Sequence, residues 1–472
     1  MKLSIREILT ATRGRLLPGA PDAVITGVSI DSRAIACGEL FVPLTGSNCD
    51  GHVFIRDAFS RGAGASFIRQ GNALAAELRK GFPEKALIAV AEPLQALGDL
   101  ACFWRKKFAI PLVAITGSNG KTTTKEMLWR IACLKYNAVR NPGNFNNLIG
   151  LPLSLLQLND NHQVGIMEMG MSARGEIARL AAIAQPQIGL ITNIGPAHLE
   201  HLLTMENVTA AKGELFAALS AEAIAIVNQD DERVALLAEK TRARVISFGM
   251  QAGDVRATVI NQNGEGTQFM LDIMGVRIEV TLALSGGMFL SNALAAAAAA
   301  HALQMTPDDI KRGLEQFQPM PGRMEILRVR GIHLINDAYN ANPVSMEASL
   351  TTLSRVKKDR RAIAVLGDML ELGECAAAYH RAAGSTAARL GIDYLYLCGS
   401  FAPAVAEGAL AEGMAAARVR VFETRELLAE QLAQEIQEGD WVLVKGSRST
   451  GMEKAVSFLQ QPATTQPCSN RH

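Results

Sequence analysis

The stretch Pro111–Lys125, PLVAITGSNGKTTTK, decides how this chain is read. Leu112 to Ile115 form a short apolar run between Pro111 and the glycines 117 and 120, the pattern of a buried strand entering a tight loop. Beyond Lys121 the apolar positions Met127, Leu128, Ile131 and Leu134 fall on one side of a helix. Strand, glycine turn and helix start together make a phosphate cradle. Backbone N–H groups and the helix N-terminus face an anion, Lys121 adds positive charge, and Thr122 offers a hydroxyl to Mg²⁺. The spacing G-x-x-G-K-T lacks the first glycine of the longer form, because position 115 is Ile. Its placement between strand and helix carries the reading against the alternative of a plain turn with a surface lysine.

Working outward, 472 residues exceed one ordinary domain and suggest two to four. Apolar residues make up 49% and the mean hydropathy is +0.13, which supports full cores rather than disorder. A net charge of +1 and 5% aromatic residues argue against a nucleic-acid or anionic-membrane partner. No apolar run reaches the length of a membrane span, and the first residues read as an amphipathic helix rather than a leader. Seven scattered cysteines without a CxxC indicate neither a disulfide framework nor a thiolate metal site. A soluble, cytoplasmic, monomeric protein is the expectation.

Three α/β units are expected. Residues 1–84 mix short strands and helices, with polar clusters at Ser32, Arg33, Asp50, Gly51 and His52 that suit either a ligand or ordinary turns. Residues 85–318 alternate strands and helices around the phosphate loop, the rhythm of a doubly wound parallel sheet, with antiparallel hairpins over 254–284. A further α/β rhythm over 319–460 predicts a second, Rossmann-like open sheet. Residues 461–472 lose periodicity and read as a disordered tail.

Several residues suit chemistry. Glu168 ends a predicted strand beside the phosphate loop, where a Mg²⁺ ligand belongs, although a solvated strand-end glutamate has the same pattern. His198 and His201 lack further partners for zinc, so a histidine facing the nucleotide's metal is the better functional reading. Lys212, on a predicted helix among small residues, reads by pattern alone as a surface lysine. The asparagines of 141–152, Asn146 and Asn147 among them, suit substrate binding or turns equally. A phosphate loop, a strand-end carboxylate and a histidine fit an ATP-driven ligase, a kinase or a nucleotide switch.

In order along the chain stand GSNGKTTTKEM, NPGNFNNLIGLP, EMGMSARGEI, TNIGPAHLEH, AKGELF, GRME, NDAYNANP, GDMLELGE and VKGSRS. With these motifs the chain resembles the Mur ligase family over residues 25 to 456. The resemblance implies an ATP- and Mg²⁺-dependent carboxylate–amine ligase of peptidoglycan precursor synthesis. NDAYNANP and GDMLELGE, with no DNPR anywhere, resemble the member that joins D-alanyl-D-alanine to a UDP-N-acetylmuramoyl-tripeptide. By that resemblance Gly117, Ser118, Asn119, Gly120, Lys121, Thr122 and Thr123 hold the nucleotide phosphates. Thr122, Glu168, His198 and a carbamylated Lys212 hold Mg²⁺. Asn292 takes the base, Arg323 the phosphates, Asp337 the ribose, and Asn340 and Asn342 complete the adenosine side. Ser32, Arg33, Asp50, Gly51, His52, Asn146 and Asn147 receive the UDP-sugar, and Lys445, Ser447 and Arg448 the dipeptide or the closing interface. Lys121, His198, Lys212 and Arg323 are the implied catalytic set. One departure is that Met288 and Phe289 stand where the family often has a His-Asn pair. An open resting arrangement, with Arg323 far from the phosphate loop, is expected.

Overall fold

The computed structural model describes residues 1–17, 23–46, 49–263, 266–284 and 286–461. The expected tail beyond 461 lies outside these.

In the first unit, five strands lie in the order Arg15–Leu16, Ala86–Val90, Ala65–Arg69, Leu40–Phe41 and Val28–Ser29. All pairings but the first are parallel. Side chains alternate between two cores, as the two-residue period of a strand requires. Phe67, Ile88 and Val90 face one core, and Ile68, Leu87 and Ala89 the other. The strand Ala86–Val90 therefore belongs to the first sheet, beyond the boundary expected at residue 84. The following helix, Pro93–Arg105, joins this unit to the next. Its Trp104 indole N–H donates to Leu158 O at 3.0 Å, and its buried Arg105 donates to the carbonyls of Ala184, Phe108 and Ile110.

The second unit is a nine-stranded sheet. Leu112–Thr116, fully buried, lies between Val164–Glu168 and Ile188–Ile191. Ala138–Arg140 flanks one side, and Ile224–Asn228 and Arg244–Gly249 continue the other, all parallel. Val255–Asn263 adds in parallel, and the sheet then continues antiparallel through Gly266–Ile273 and Val276–Leu282, the hairpins expected over 254–284. Behind it the helix Gly287–Ala302 buries every residue from Ala293 to Ala300, so its neighbour Lys121–Ala132 packs close to its backbone.

Six strands form the third sheet, in the order Glu325–Val329, Ile332–Asp337, Trp441–Lys445, Ala362–Leu366, Tyr394–Cys398 and Val419–Phe422. Only the edge strand Glu325–Val329 is antiparallel. Thus Asp337 and Lys445 end adjacent parallel strands in register.

Candidate active site

The strand Leu112–Thr116 delivers the phosphate loop to the carboxyl edge of its sheet, where open α/β sheets bind ligands. Two glycines are structurally obligatory there. A Cβ on Gly117 (φ +147°) would sit 1.9 Å from Thr192 Oγ1, and one on Gly120 (φ +79°) 2.1 Å from Asn292 Oδ1. The segment Thr192–Gly195 braces the loop from behind. The Asn119 N–H donates to Asn193 Oδ1 at 2.9 Å, and the Thr192 hydroxyl donates to Asn119 O at 2.6 Å. The hydroxyl of Ser118 and the backbone of Gly195 are linked at 2.8 and 2.9 Å. TNIG is thus the wall against which the loop is moulded.

Two lysines meet on one carbonyl. Lys121 Nζ donates to Gly117 O at 2.7 Å, and Lys212 Nζ donates to the same oxygen at 3.0 Å. Lys212, which reads as a surface residue by pattern, is 1% exposed. Burial first, and the charge of Lys121 second, push its pKa well below the ordinary lysine value. Burial likewise lowers Lys121, against the attraction of Glu168.

Glu168 is held from several sides. Asn141 accepts from its backbone N–H and donates to its carbonyl, at 2.9 and 3.0 Å. Asn146 Nδ2 donates to its Oε1 at 2.7 Å. Its Oε2 is buried without a hydrogen-bond partner, and the fully buried Lys125 ammonium stands 3.8 Å away. An orphaned buried carboxylate oxygen on the cavity that Thr122 also lines fits a divalent cation. No group of three His, Cys, Asp or Glu is assembled for a metal among the described residues. That suits Mg²⁺, which keeps waters and substrate phosphates in its shell.

The third unit closes over this loop. Arg323 Nη2 donates to Thr122 Oγ1 at 3.0 Å, and Asn342 Nδ2 donates to Asn119 Oδ1 at 2.7 Å. His198 Nδ1 lies 2.6 Å from Glu371 Oε2, and the Glu200 N–H donates to Glu371 O at 3.1 Å. The open arrangement expected from sequence is not what the structure has: Arg323 is already on the phosphate loop. Between the units lies a cavity of about 1120 Å³. Every residue expected at the site in the second and third units lines it, except Gly117.

Several of these are engaged differently from the expectation. His198 directs one ring nitrogen to Glu371, and that bond is the main cause of the lowered Glu371 pKa. Asp337, expected at a ribose, is occupied by protein. Its Oδ1 accepts from the Met324 N–H at 3.1 Å, and its Oδ2 from the Ser349 hydroxyl at 2.7 Å and from Lys445. Lys445 is buried in that pair and also donates to Asn340 O at 3.1 Å. The Ser447 hydroxyl accepts from the Leu370 N–H at 2.9 Å. Asn342 caps the helix Pro343–Lys357 by accepting from the Ser345 N–H at 2.9 Å. Asn292 is buried behind Gly120, while Met288 and Phe289 line the cavity.

In the first unit the expected cluster divides. His52 is 2% exposed, and its Nε2 accepts from the Arg69 N–H at 3.0 Å. Its Nδ1 must then carry the proton shared with Asp50 Oδ1 at 2.6 Å, a bond that lowers the Asp50 pKa. Asp50 also caps the short helix Gly51–Phe54, and a Cβ on Gly51 would meet Leu44 O at 2.5 Å. These three build the fold. Arg33 is exposed and paired with Asp31 at 2.8 Å, while Ser32 is buried against Asp57. None of the five lines the large cavity.

Residues absent from the expected set also take part. Tyr339 and Glu371 line the cavity inside the motifs NDAYNANP and GDMLELGE, and Lys125 lies inside GSNGKTTTKEM. Their motifs were visible, but their individual parts depend on contacts across units.

Three family descriptions match along the chain: "Mur ligase family, catalytic domain" over 24–105, "Mur ligase middle domain" over 115–300, and "Mur ligase, glutamate ligase domain" over 322–448. The chain belongs to the Mur ligase family. It is 36% identical over 470 residues to a UDP-N-acetylmuramoyl-tripeptide–D-alanyl-D-alanine ligase of Treponema pallidum, covering 98% of this chain and all of that one. A crystal structure of MurF from Acinetobacter baumannii superimposes with a TM-score of 0.89 at 32% identity, covering 98% and 99% of the two chains. MurF from Thermotoga maritima, solved in complex with ADP, superimposes with a TM-score of 0.82 at 27% identity, covering 92% and 97%. Among the described residues no helix is long and apolar enough to cross a membrane.

Proposed function

We propose that this Mur ligase joins D-alanyl-D-alanine to UDP-N-acetylmuramoyl-tripeptide, converting ATP to ADP and phosphate. The observation that carries the reading is the contact of Arg323 with Thr122 across the cavity. It brings a cation of the third unit onto the phosphate loop, as transfer of a phosphoryl group to a carboxylate requires. The full-length likeness to D-alanyl-D-alanine-adding ligases supplies the substrates.

A carboxylate is a poor electrophile at neutral pH. In the proposed reaction the tripeptide's terminal carboxylate oxygen attacks the γ-phosphorus and the bond to the ADP oxygen breaks, giving an acyl phosphate. The free amine of the dipeptide then attacks the acyl carbon. The tetrahedral adduct collapses with loss of phosphate, and the amine loses a proton. Lys121 and Arg323 offset charge on the phosphoryl oxygens, and the closed third unit shields the acyl phosphate from water. Glu168 and the Thr122 hydroxyl would hold Mg²⁺, which offsets the same negative charge.

Lys212 is assigned as a carbamate. Burial and the charge of Lys121 lower its pKa and so favour the neutral amine, which attacks CO₂, forming the N–C bond and releasing a proton. The product sets an anion beside Lys121, which it attracts. The UDP-sugar is assigned to the face carrying Ser32 and Arg33, with Asn147 on the cavity side. Since ATP and UDP-linked precursors are soluble metabolites, the reaction is placed in the cytoplasm.

The test is phosphate release with ATP, Mg²⁺ and UDP-MurNAc-tripeptide, with and without D-alanyl-D-alanine, followed by the product mass. Release that requires the dipeptide, with the mass of the pentapeptide, is expected. Release indifferent to both peptides would make the chain a nucleotide hydrolase or switch.

A further inference from the structure

Two guanidinium groups converge on one aromatic ring at the cavity wall. The guanidinium carbon of Arg323 lies 3.9 Å from the Tyr339 ring centroid, and that of Arg448 lies 4.9 Å from it. All three side chains line the large cavity. Arg323 is committed to the phosphate loop through Thr122. The exposed guanidinium of Arg448 has no ion pair or hydrogen bond among the described residues, and the Tyr339 ring is what it rests on. Two like charges so close repel, and the electron-rich face of the ring offsets part of that repulsion. The backbone that carries the ring is tied to that of Arg323, because the Tyr339 N–H donates to Gly322 O at 3.0 Å, one residue before Arg323.

An unpaired guanidinium facing a substrate cavity is a receptor for an anion, and its planar fork matches a carboxylate. In the proposed reaction the nucleotide phosphates occupy the Arg323 side. Among the remaining anionic groups, which include those of the UDP-linked peptide, the free carboxylate of the incoming dipeptide is the one assigned to Arg448. We propose that Tyr339 is a positioning residue: it holds Arg448 at the cavity wall to receive that carboxylate. By sharing its ring with Arg323, it ties the amine substrate's seat to the nucleotide's. This inference rests on the ligase reading above.

The experiment compares D-alanyl-D-alanine with its C-terminal amide as amine substrate for the wild type, Tyr339→Leu and Tyr339→Phe, by initial rates of phosphate release. The wild type should prefer the free acid. Tyr339→Leu should raise KM for the acid about ten-fold, the size of one or two cation–π contacts, and should leave KM for the amide nearly unchanged. Tyr339→Phe keeps the ring and should keep the preference. Binding of ADP by calorimetry checks that each variant is folded; if Tyr339→Leu is not, Arg448→Gln must lose the same preference. A folded Tyr339→Leu that discriminates acid from amide as the wild type does would overturn the proposal. So would a variant whose KM rises for ATP alone. Dipeptide-dependent release with equal use of acid and amide by the wild type overturns the proposal and spares the ligase reading. Release that ignores the dipeptide overturns both.

Discussion

Replacing Lys212 by methionine should make the folded chain more stable at neutral pH, and the gain should disappear as the pH rises. The lysine is 1% exposed, and its nitrogen shares the Gly117 carbonyl with Lys121 at 3.0 and 2.7 Å. The two nitrogens are therefore within about 6 Å, where two full charges repel by roughly 3 kcal/mol at an effective dielectric of about 20. Burial is the larger cause and this repulsion the second, and together they lower the Lys212 pKa well below its ordinary value of 10.5. The unfolded chain keeps it charged up to that value. Between the lowered folded pKa and 10.5 the unfolded state thus binds one more proton, and wild-type stability rises with pH by about 1.4 kcal/mol per unit. The methionine variant lacks this slope. In urea unfolding under CO₂-free buffer, the variant's advantage should shrink by about 1.4 kcal/mol for each pH unit within that window. Bicarbonate should narrow the gap further by stabilising only the wild type, since a carbamate there attracts Lys121. A stability difference that stays constant with pH would show that Lys212 carries its charge in the folded chain, and the argument for an amine ready to take CO₂ would fail.

Two other perturbations probe the loop and the closure. Gly120→Ala places a Cβ at φ +79°, 2.1 Å from the buried Asn292 oxygen; left-handed backbone alone costs about 1–2 kcal/mol. A lowered melting temperature and at least a ten-fold loss of ADP affinity by calorimetry are expected, and wild-type affinity would show that the loop tolerates a side chain. Glu371→Gln removes the charge from the partly exposed clasp with His198, worth up to about 1 kcal/mol. Small-angle scattering of the nucleotide-free variant should show a larger radius of gyration than the wild type, and identical profiles would mean that the clasp does not hold the units together.

The elements of the second and third sheets were legible because buried parallel strands leave continuous apolar runs. Leu112–Thr116 lies within a residue of where its pattern puts it, and Ala362–Leu366 and Tyr394–Cys398 are apolar runs of the same kind. The edge strands Glu325–Val329 and Val419–Phe422 are only partly buried and carry no such run, so periodicity does not reveal them. Ala86–Val90 is an apolar run too, but pattern alone does not say which sheet a strand joins. The site was legible as motifs and opaque as contacts. Arg323 and Thr122 are 201 residues apart, and Asn342 and Asn119 are 223 apart. Composition likewise could not separate Lys212 from a surface lysine, or show that His52 is buried between Asp50 and the Arg69 N–H. Each outcome follows from which helix or strand the topology lays beside it.

Once those contacts are in place, the charges around Gly117 explain one another. Lys121 and Arg323 gather at the loop beside the buried Lys212 amine, with Glu168 as the carboxylate facing them, while Lys125 behind the loop is paired with Glu126 at 3.4 Å. Asp337 and Lys445 neutralise each other to one side, so they do not relieve this excess. Cations buried without matching anions cost stability, and the cost falls when an anion arrives. A polyphosphate supplies that anion between the phosphate loop and Arg323, where burial makes the attraction larger than in water. The unpaired Arg448 adds to the same excess on the ring it shares with Arg323, which is why a second anion, the dipeptide carboxylate, is assigned there. Closure and charge are then one device. The third unit brings Arg323 and Arg448 to the site, and substrates that carry negative charge at both ends are what make that approach favourable.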